Sequence, residues 1–312
     1  MYLTLKQKLL EVPEGTAQQI QMLYGYDERK MNEAVDILEE WLKKQNHFLK
    51  KDIPRIYLET NIIGSKGSIE RTKSKLDKLF ALRTVLRKFY EFNDIRNEFK
   101  NLFSCTSMLA MPKLTKENNR LFVVKVIGNE FFDKVPYLDY YKIIIAYVEY
   151  FRMYDYSDGY RAVIDYRDIN IMSIIARVNL VELKEFSTLI LSGYGARLKG
   201  IHIITSSKAV ENLLRIITPL FNPKLVARFR VHGTLESLHE VISQDRLPKE
   251  LGGTGRSLKE IQDDWIDLLS SKETSEFFRE INKAQVNEAY RMDDLKNEEM
   301  GLPGTFRTLS VD

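Results

Sequence analysis

The sequence predicts an α/β protein, an N-terminal helical bundle followed by a domain built on a mostly parallel sheet. Three observations lead there. The first hundred residues carry apolar side chains at helical spacing. From about residue 105, short β-branched or aromatic runs alternate with helical segments. Finally, Arg197–Gly253 sets a short apolar strand, an amphipathic helix and a second strand between two basic clusters, closing on a Pro-and-Gly turn. That order suggests a cavity with a mobile apolar cover and a charged rim able to touch a membrane.

In the helical half, Met31, Val35, Leu38 and Leu42 recur along one helix face, with Asp27 placed to cap its start. Gly64 and Gly67 mark a break. Beyond it Ile69, Leu76, Leu79, Leu82 and Val85 lie near one face of a second helix, with Lys and Arg on the other. Lys73, Lys75, Lys78, Arg83, Arg87 and Lys88 resemble a nucleic-acid or membrane patch, but a solvated face on a packed helix explains them as well and is preferred.

The expected strands are Leu121–Ile127, Ala162–Tyr166, Gly200–Thr205 and Phe229–His232. Between them Pro136–Tyr154, Ile171–Leu191 and Ser207–Pro219 read as helices, so βαβ crossovers and parallel pairing follow. Leu258–Leu269, with Trp265, reads as one more helix. After Lys272 the composition turns polar and charged, which predicts an extended tail with a few apolar anchors.

Composition narrows the function classes. The 312 residues suit one large domain, or two with a tail, and 44% hydrophobic residues allow a large core. A net charge of +3 is too small to indicate nucleic-acid binding. The single cysteine, Cys105, fits a reducing compartment. Met1–Leu10 carries Lys6 and Lys8, unlike a signal peptide, and apolar runs such as Ile143–Val148 fall short of a membrane span. The expectation is a cytoplasmic, monomeric protein.

Catalytic constellations are not found. His47, His202, His232 and His239 lack metal-ligand spacing, and His202 and His232 read as hydrogen-bonded core residues within strands. No nucleophile elbow, Walker loop or dinucleotide fingerprint is present, so no metal, cofactor or catalytic residue is expected. Asp165, at the end of AVIDY, is a carboxylate at a strand's carboxyl end, read as a structural cap.

The helix after GIHIIT carries Val210, Leu213, Leu214 and Ile217 as an apolar stripe, opposite Lys208, Glu211, Asn212 and Arg215. Periodicity alone fits an ordinary surface helix. Its flanks add function: Arg197 and Lys199 precede the strand before it, while Lys224 and Arg228 follow one turn apart. Near an anionic lipid surface such cations contribute on the order of 1 kcal/mol each, enough for reversible adhesion.

GIHIIT, the helix after it, PLFNPKLVARFRVHG and LPKELGG resemble the CRAL-TRIO lipid-binding family, whose members include the α-tocopherol and retinaldehyde carriers. EWLKKQNHF and IERTKSKLDKLFALR are similar to its N-terminal helical module, and PGTFRTLSVD to the C-terminus common among its insect members. The resemblance implies a helical module over residues 1–100, a lipid-binding domain over 101–256, and a C-terminal helix and extended tail over 257–312. It also implies that residues 207–219 form a gate helix over an apolar pocket. The implied pocket residues are Ile143, Ala146, Ile175, Val178, Phe186, Leu189, Ile190, Ile201 and Ile203, together with Val210, Leu213, Leu214 and Ile217 of the gate. Arg197, Lys199, Lys224 and Arg228 take the positions at which the tocopherol carrier holds phosphatidylinositol bisphosphate. A further arginine used there has no clear counterpart in IYLETNIIG, and Lys142 and Ala146 replace small hydroxyl residues of that carrier. Leu251 and Thr205 replace the family's usual aromatic and Asn.

The implied function is that of a non-enzymatic carrier. It would bind one small hydrophobic lipid, such as a retinoid, a tocopherol or another isoprenoid, and exchange it transiently at anionic, phosphoinositide-containing membranes. Nucleic acid is not an expected partner. Burying a methylene is worth about 0.8 kcal/mol, so such a ligand leaves readily only into a bilayer. A phosphoinositide-responsive adaptor in trafficking or signalling is the alternative.

Overall fold

Side-chain caps and buried stripes set the helical half. The computed structural model describes residues 4–128 and 131–291. Its first helices are α1 (Leu5–Leu9), α2 (Thr16–Leu23), α3 (Glu28–Lys44), α4 (Arg55–Gly64), α5 (Ile69–Val85), α6 (Ile95–Glu98) and α7 (Lys100–Cys105). Asp27 begins α3 by accepting the Lys30 amide at 2.8 Å, and Met31, Val35, Leu38 and Leu42 are all buried. Helix α5 departs from a simple two-faced pattern. Leu76, Leu79 and Leu82 are buried, but Val85 is exposed and Arg83 is sealed inside.

The second half contains β1 (Thr106–Ala110), β2 (Asn119–Val126), α8 (Phe131–Lys134), α9 (Tyr137–Tyr154), β3 (Gly159–Asp165), α10 (Ile171–Arg177) and α11 (Leu180–Thr188). It continues with β4 (Leu198–Ile204), α12 (Ala209–Ile217), α13 (Pro223–Val226), β5 (Phe229–His232), α14 (Leu235–His239), α15 (Leu258–Leu269) and α16 (Lys272–Ile281). The sheet order is β1-β2-β3-β4-β5. Strand β1 runs antiparallel to β2, and the remaining neighbours are parallel. Sequence reading missed β1: it follows α7 without a turn signal, and all five residues are buried, so no alternation marks it.

Two further differences have local causes. The helix expected over Ile171–Leu191 is broken, because the Asn179 side chain accepts the amides of Val181 and Glu182 and starts α11 afresh. Helix α11 then passes into a π-turn over Leu189–Gly193, which shifts the helical phase beyond Leu189. The region after Lys272 was expected to be extended, yet α16 forms there. Ser271 caps it, and Thr274, Phe278 and Ile281, spaced at i, i+4 and i+7, bury one face. PGTFRTLSVD lies outside the described residues.

The halves share a core. Tyr141, Ile145, Val148, Leu189 and Tyr194 pack with Leu38, Leu58, Leu79 and Phe80 of the helical half. Through it runs a buried ion pair between Arg83 and Glu149. Arg83 also donates to the Ala284 carbonyl at 2.9 Å, while Glu149 accepts the hydroxyls of Tyr57, at 3.0 Å, and Tyr194. These hydrogen bonds satisfy a charge pair that burial alone would penalise.

Candidate functional site

One face of the sheet floors a cavity of about 280 Å³. Phe122, Ala162, Ile201 and Phe229 stand opposite one another on β2, β3, β4 and β5, forming one row across that floor. Helix α9 forms a wall through Tyr137, Tyr140, Tyr141, Ile144, Tyr147, Val148 and Phe151, a spacing that keeps one helical face on the cavity. Val178, Leu183, Phe186, Ser187, Ile190 and Leu191 add the α10–α11 side, and Leu213 and Ile217 come from α12. The lining is aromatic as well as aliphatic, with the Tyr141 and Phe186 rings stacked at 4.6 Å. Burial raises the phenols of Tyr137, Tyr140, Tyr141 and Tyr166, the last to about 12, so they stay protonated hydroxyls at neutral pH.

Of the pocket residues implied by the sequence, the cavity brings together Val178, Phe186, Ile190, Ile201, Leu213 and Ile217. The other seven are not among its lining residues. Ile143 and Ala146 sit about 100° around α9 from Ile144 and Tyr147, and pack into the core that holds Met108, Val123 and Trp265. Leu189 precedes the π-shift and turns toward Leu79 and Leu82 of α5. Ile203 is buried in the next row of the sheet, opposite Ile164. Ile175 packs beside the small cluster of Ile171, Ile174 and Leu213. Val210 is buried one turn before Leu213, and Leu214 is half-buried on the flank of α12. The tyrosines of α9 were missed as lining, although their spacing was legible in YLDYYKIIIAYVEYF.

Helix α12 covers the cavity as an amphipathic lid. Glu211, Asn212 and Arg215 are exposed, while Leu213 packs on α10 in a cluster separate from the two main cores.

The cations expected at the rim occupy different environments. Lys224 is exposed. Arg228 is half-buried and donates to the Leu198 carbonyl. Arg197 and Lys199 are paired with Asp158 at 2.8 and 2.7 Å. Three cations of the helical half join them. Lys66 is exposed and has its pKa lowered chiefly by Lys224, then by Arg197, with Arg71 and Lys199 adding. Burial, then Arg152, Arg197, Arg71 and Lys66, push the Lys75 ammonium down to about 8. Lys75 lies flat against Gly195, where a Cβ would meet its Nζ at 2.5 Å. Only Lys75 of these three stood out in the sequence, within the basic face of α5; the tertiary fold brings the set together.

The catalytic candidates are structurally occupied. Asp165 is fully buried and receives Arg167 and Lys125. Burial raises its carboxyl, but hydrogen bonds from Arg167 and the Lys125 charge outweigh that and hold it below the usual range. His202 and His232 hydrogen-bond each other at 3.0 Å, and His232 reaches Ser237 at 3.1 Å.

Residues 106–253, which contain the sheet and all of this lining, match the CRAL/TRIO domain. Nearly half of this chain therefore carries a CRAL-TRIO domain. The mouse alpha-tocopherol transfer protein-like protein is 33% identical over 90 residues, which is 28% of this chain and 25% of that protein. Its human counterpart is 36% identical over 67 residues, 21% of this chain and 20% of that one. Clavesin-1 of Xenopus laevis is 39% identical over 62 residues, 20% of this chain and 19% of that protein. The matched segments thus span a quarter or less of these relatives' lengths. The crystal structure of Sfh5 aligns with a TM-score of 0.46 at 11% identity, covering 86% of this chain and 96% of that one. Among the described residues, no helix is long and apolar enough to cross a membrane.

Proposed function

We propose that this CRAL-TRIO protein is a non-enzymatic carrier of one small hydrophobic lipid, loaded and released at anionic membranes as α12 opens. The observation that carries the reading is the apolar cavity roofed by the stripe of an amphipathic helix. A lipid in that cavity is retained against water at about 0.8 kcal/mol per methylene, so exchange needs a bilayer beneath an open lid. The aromatic and aliphatic lining favours a hydrophobic ligand such as an isoprenoid, in the class of retinoids and tocopherols. Lys66 and Lys224, both exposed, supply attraction to phosphoinositide-rich surfaces at about 1 kcal/mol each.

Two measurements test this. Native mass spectrometry of the purified protein should reveal a stoichiometric lipophile; an empty pocket would favour the adaptor role instead. Fluorescent-lipid transfer between vesicles should speed up with phosphatidylinositol bisphosphate. Replacing both Lys66 and Lys224 by alanine should remove most of that acceleration, and an unchanged rate would end the membrane half of the proposal.

A further inference from the structure

Within the basic rim, charge neutralisation is uneven. Asp158 Oδ1 accepts Arg197 Nη1 at 2.8 Å, and its Oδ2 accepts Lys199 Nζ at 2.7 Å. Tyr24, from the helical half, donates its hydroxyl to Asp158, accepts a hydrogen bond from Arg197, and stacks its ring under the Arg197 guanidinium at 5.2 Å. The Asp158 side chain is 10% exposed. Its backbone amide donates a hydrogen bond to the Asn118 carbonyl at 2.8 Å. Gly159 follows at φ +144, where any Cβ would strike the Arg197 carbonyl at 2.6 Å. The carboxylate is therefore built into the rim. Among the described residues, by contrast, no ion pair engages Lys66, Arg71, Lys75 or Lys224.

We propose that Asp158 is an internal competitor for the headgroup, a threshold that lets Arg197 and Lys199 engage a phosphomonoester lipid but not a singly charged one. This rests on the membrane reading above. Two charge classes meet the same site differently. Phosphatidylserine offers at most one net negative charge, no more than Asp158 already provides, so displacing the carboxylate gains nothing. A phosphomonoester carries about −1.5 to −2 with three acceptor oxygens, so it outcompetes one carboxylate for Arg197 and Lys199. Singly charged lipids are left with the unpaired cations alone. The Tyr24 contact ties the exchange to the helical half, because releasing Arg197 also releases its bond to the turn after α2.

The test compares phosphatidylcholine vesicles doped with phosphatidylserine or, at matched charge, with phosphatidylinositol bisphosphate, using wild type and Asp158→Asn. The substitution keeps the shape and removes the charge. Binding should tighten on both kinds of vesicle, on the order of tenfold for phosphatidylserine as two cations are freed and at least as much for the bisphosphate, which no longer has a carboxylate to displace. Equal behaviour of the two proteins, with wild type still preferring anionic vesicles, overturns the role of Asp158 and leaves the carrier reading standing. If neither protein prefers anionic over neutral vesicles, the membrane reading fails and this inference with it. Soluble inositol trisphosphate is the second probe, and a gain confined to it overturns the lipid surface as the source of the phosphate.

Single substitutions keep the proposal testable should Asp158→Asn fold poorly. In the otherwise wild-type chain, Lys224→Gln should weaken phosphatidylserine binding more than Lys199→Gln, because Lys199 is already neutralised. On bisphosphate vesicles both should weaken it. The opposite ranking on phosphatidylserine overturns the proposal.

Discussion

On the carrier reading proposed above, replacing Leu213 and Ile217 with serine should make the closed protein leak a bound lipophile into plain buffer. Val210 and Leu213 are 4% and 3% exposed, and Ile217 is half-buried over the cavity. Swinging α12 outward in water exposes all three. At about 2 kcal/mol for each buried aliphatic side chain, and half that for Ile217, closure is worth about 5 kcal/mol. The open fraction is then on the order of 10⁻⁴. The double serine variant removes about 3 kcal/mol of this, so passive release should accelerate on the order of a hundredfold. At a bilayer the apolar face meets acyl chains instead of water, so release into vesicles should change far less. The assay is rapid dilution of protein loaded with a fluorescent lipophile, with and without vesicles. Leu214→Ser is the control, since Leu214 is half-buried but not part of the lining. An unchanged leak from a folded double variant would refute the lid argument. So would an equal acceleration with vesicles present.

Two other predictions concern the fold. Glu149→Gln leaves the Arg83 guanidinium buried without its counter-charge, and should cost about 3–5 kcal/mol, or roughly 5–8 °C in Tm by thermal melting. Replacing the pair together, Arg83→Met with Glu149→Leu, should recover most of that loss. His202 is pushed down to about 4 by burial, with His232, Arg161 and Arg230 adding to it, from an ordinary value of 6.5. Because the folded-state pKa is the lower one, the neutral ring's stabilisation is complete above 6.5 and is lost as pH falls toward 4. Denaturant midpoints should decline across that window, and His202→Asn should flatten the decline.

Periodicity located α3, α5, α9, α12 and α15 because each turns a repeated apolar stripe toward a core. It also located four of the five strands among the described residues, which are bounded runs of branched and aromatic residues. It failed where the deciding residue was local and small. Asn179 breaks one predicted helix into two, and Ser271 starts a helix in a segment that composition reads as a tail. Strand β1 escaped because a wholly buried strand has no alternation to detect.

The site divides along the same line. The amphipathic stripe of α12 and the basic residues flanking it are properties of neighbouring positions, so the sequence alone determined an amphipathic helix with charged edges. Which side chains reach the cavity depends on helix phase to within one residue. On α9 that phase selects Ile144 and Tyr147 over Ile143 and Ala146, and a π-turn selects Ile190 over Leu189. Whether a cation is free depends on partners far away in the chain. Asp158 and Tyr24 claim Arg197, while Lys66 comes within electrostatic reach of Lys224. Local spacing encodes faces; only the packing of distant segments decides what each face meets, and with it which charges remain for a ligand.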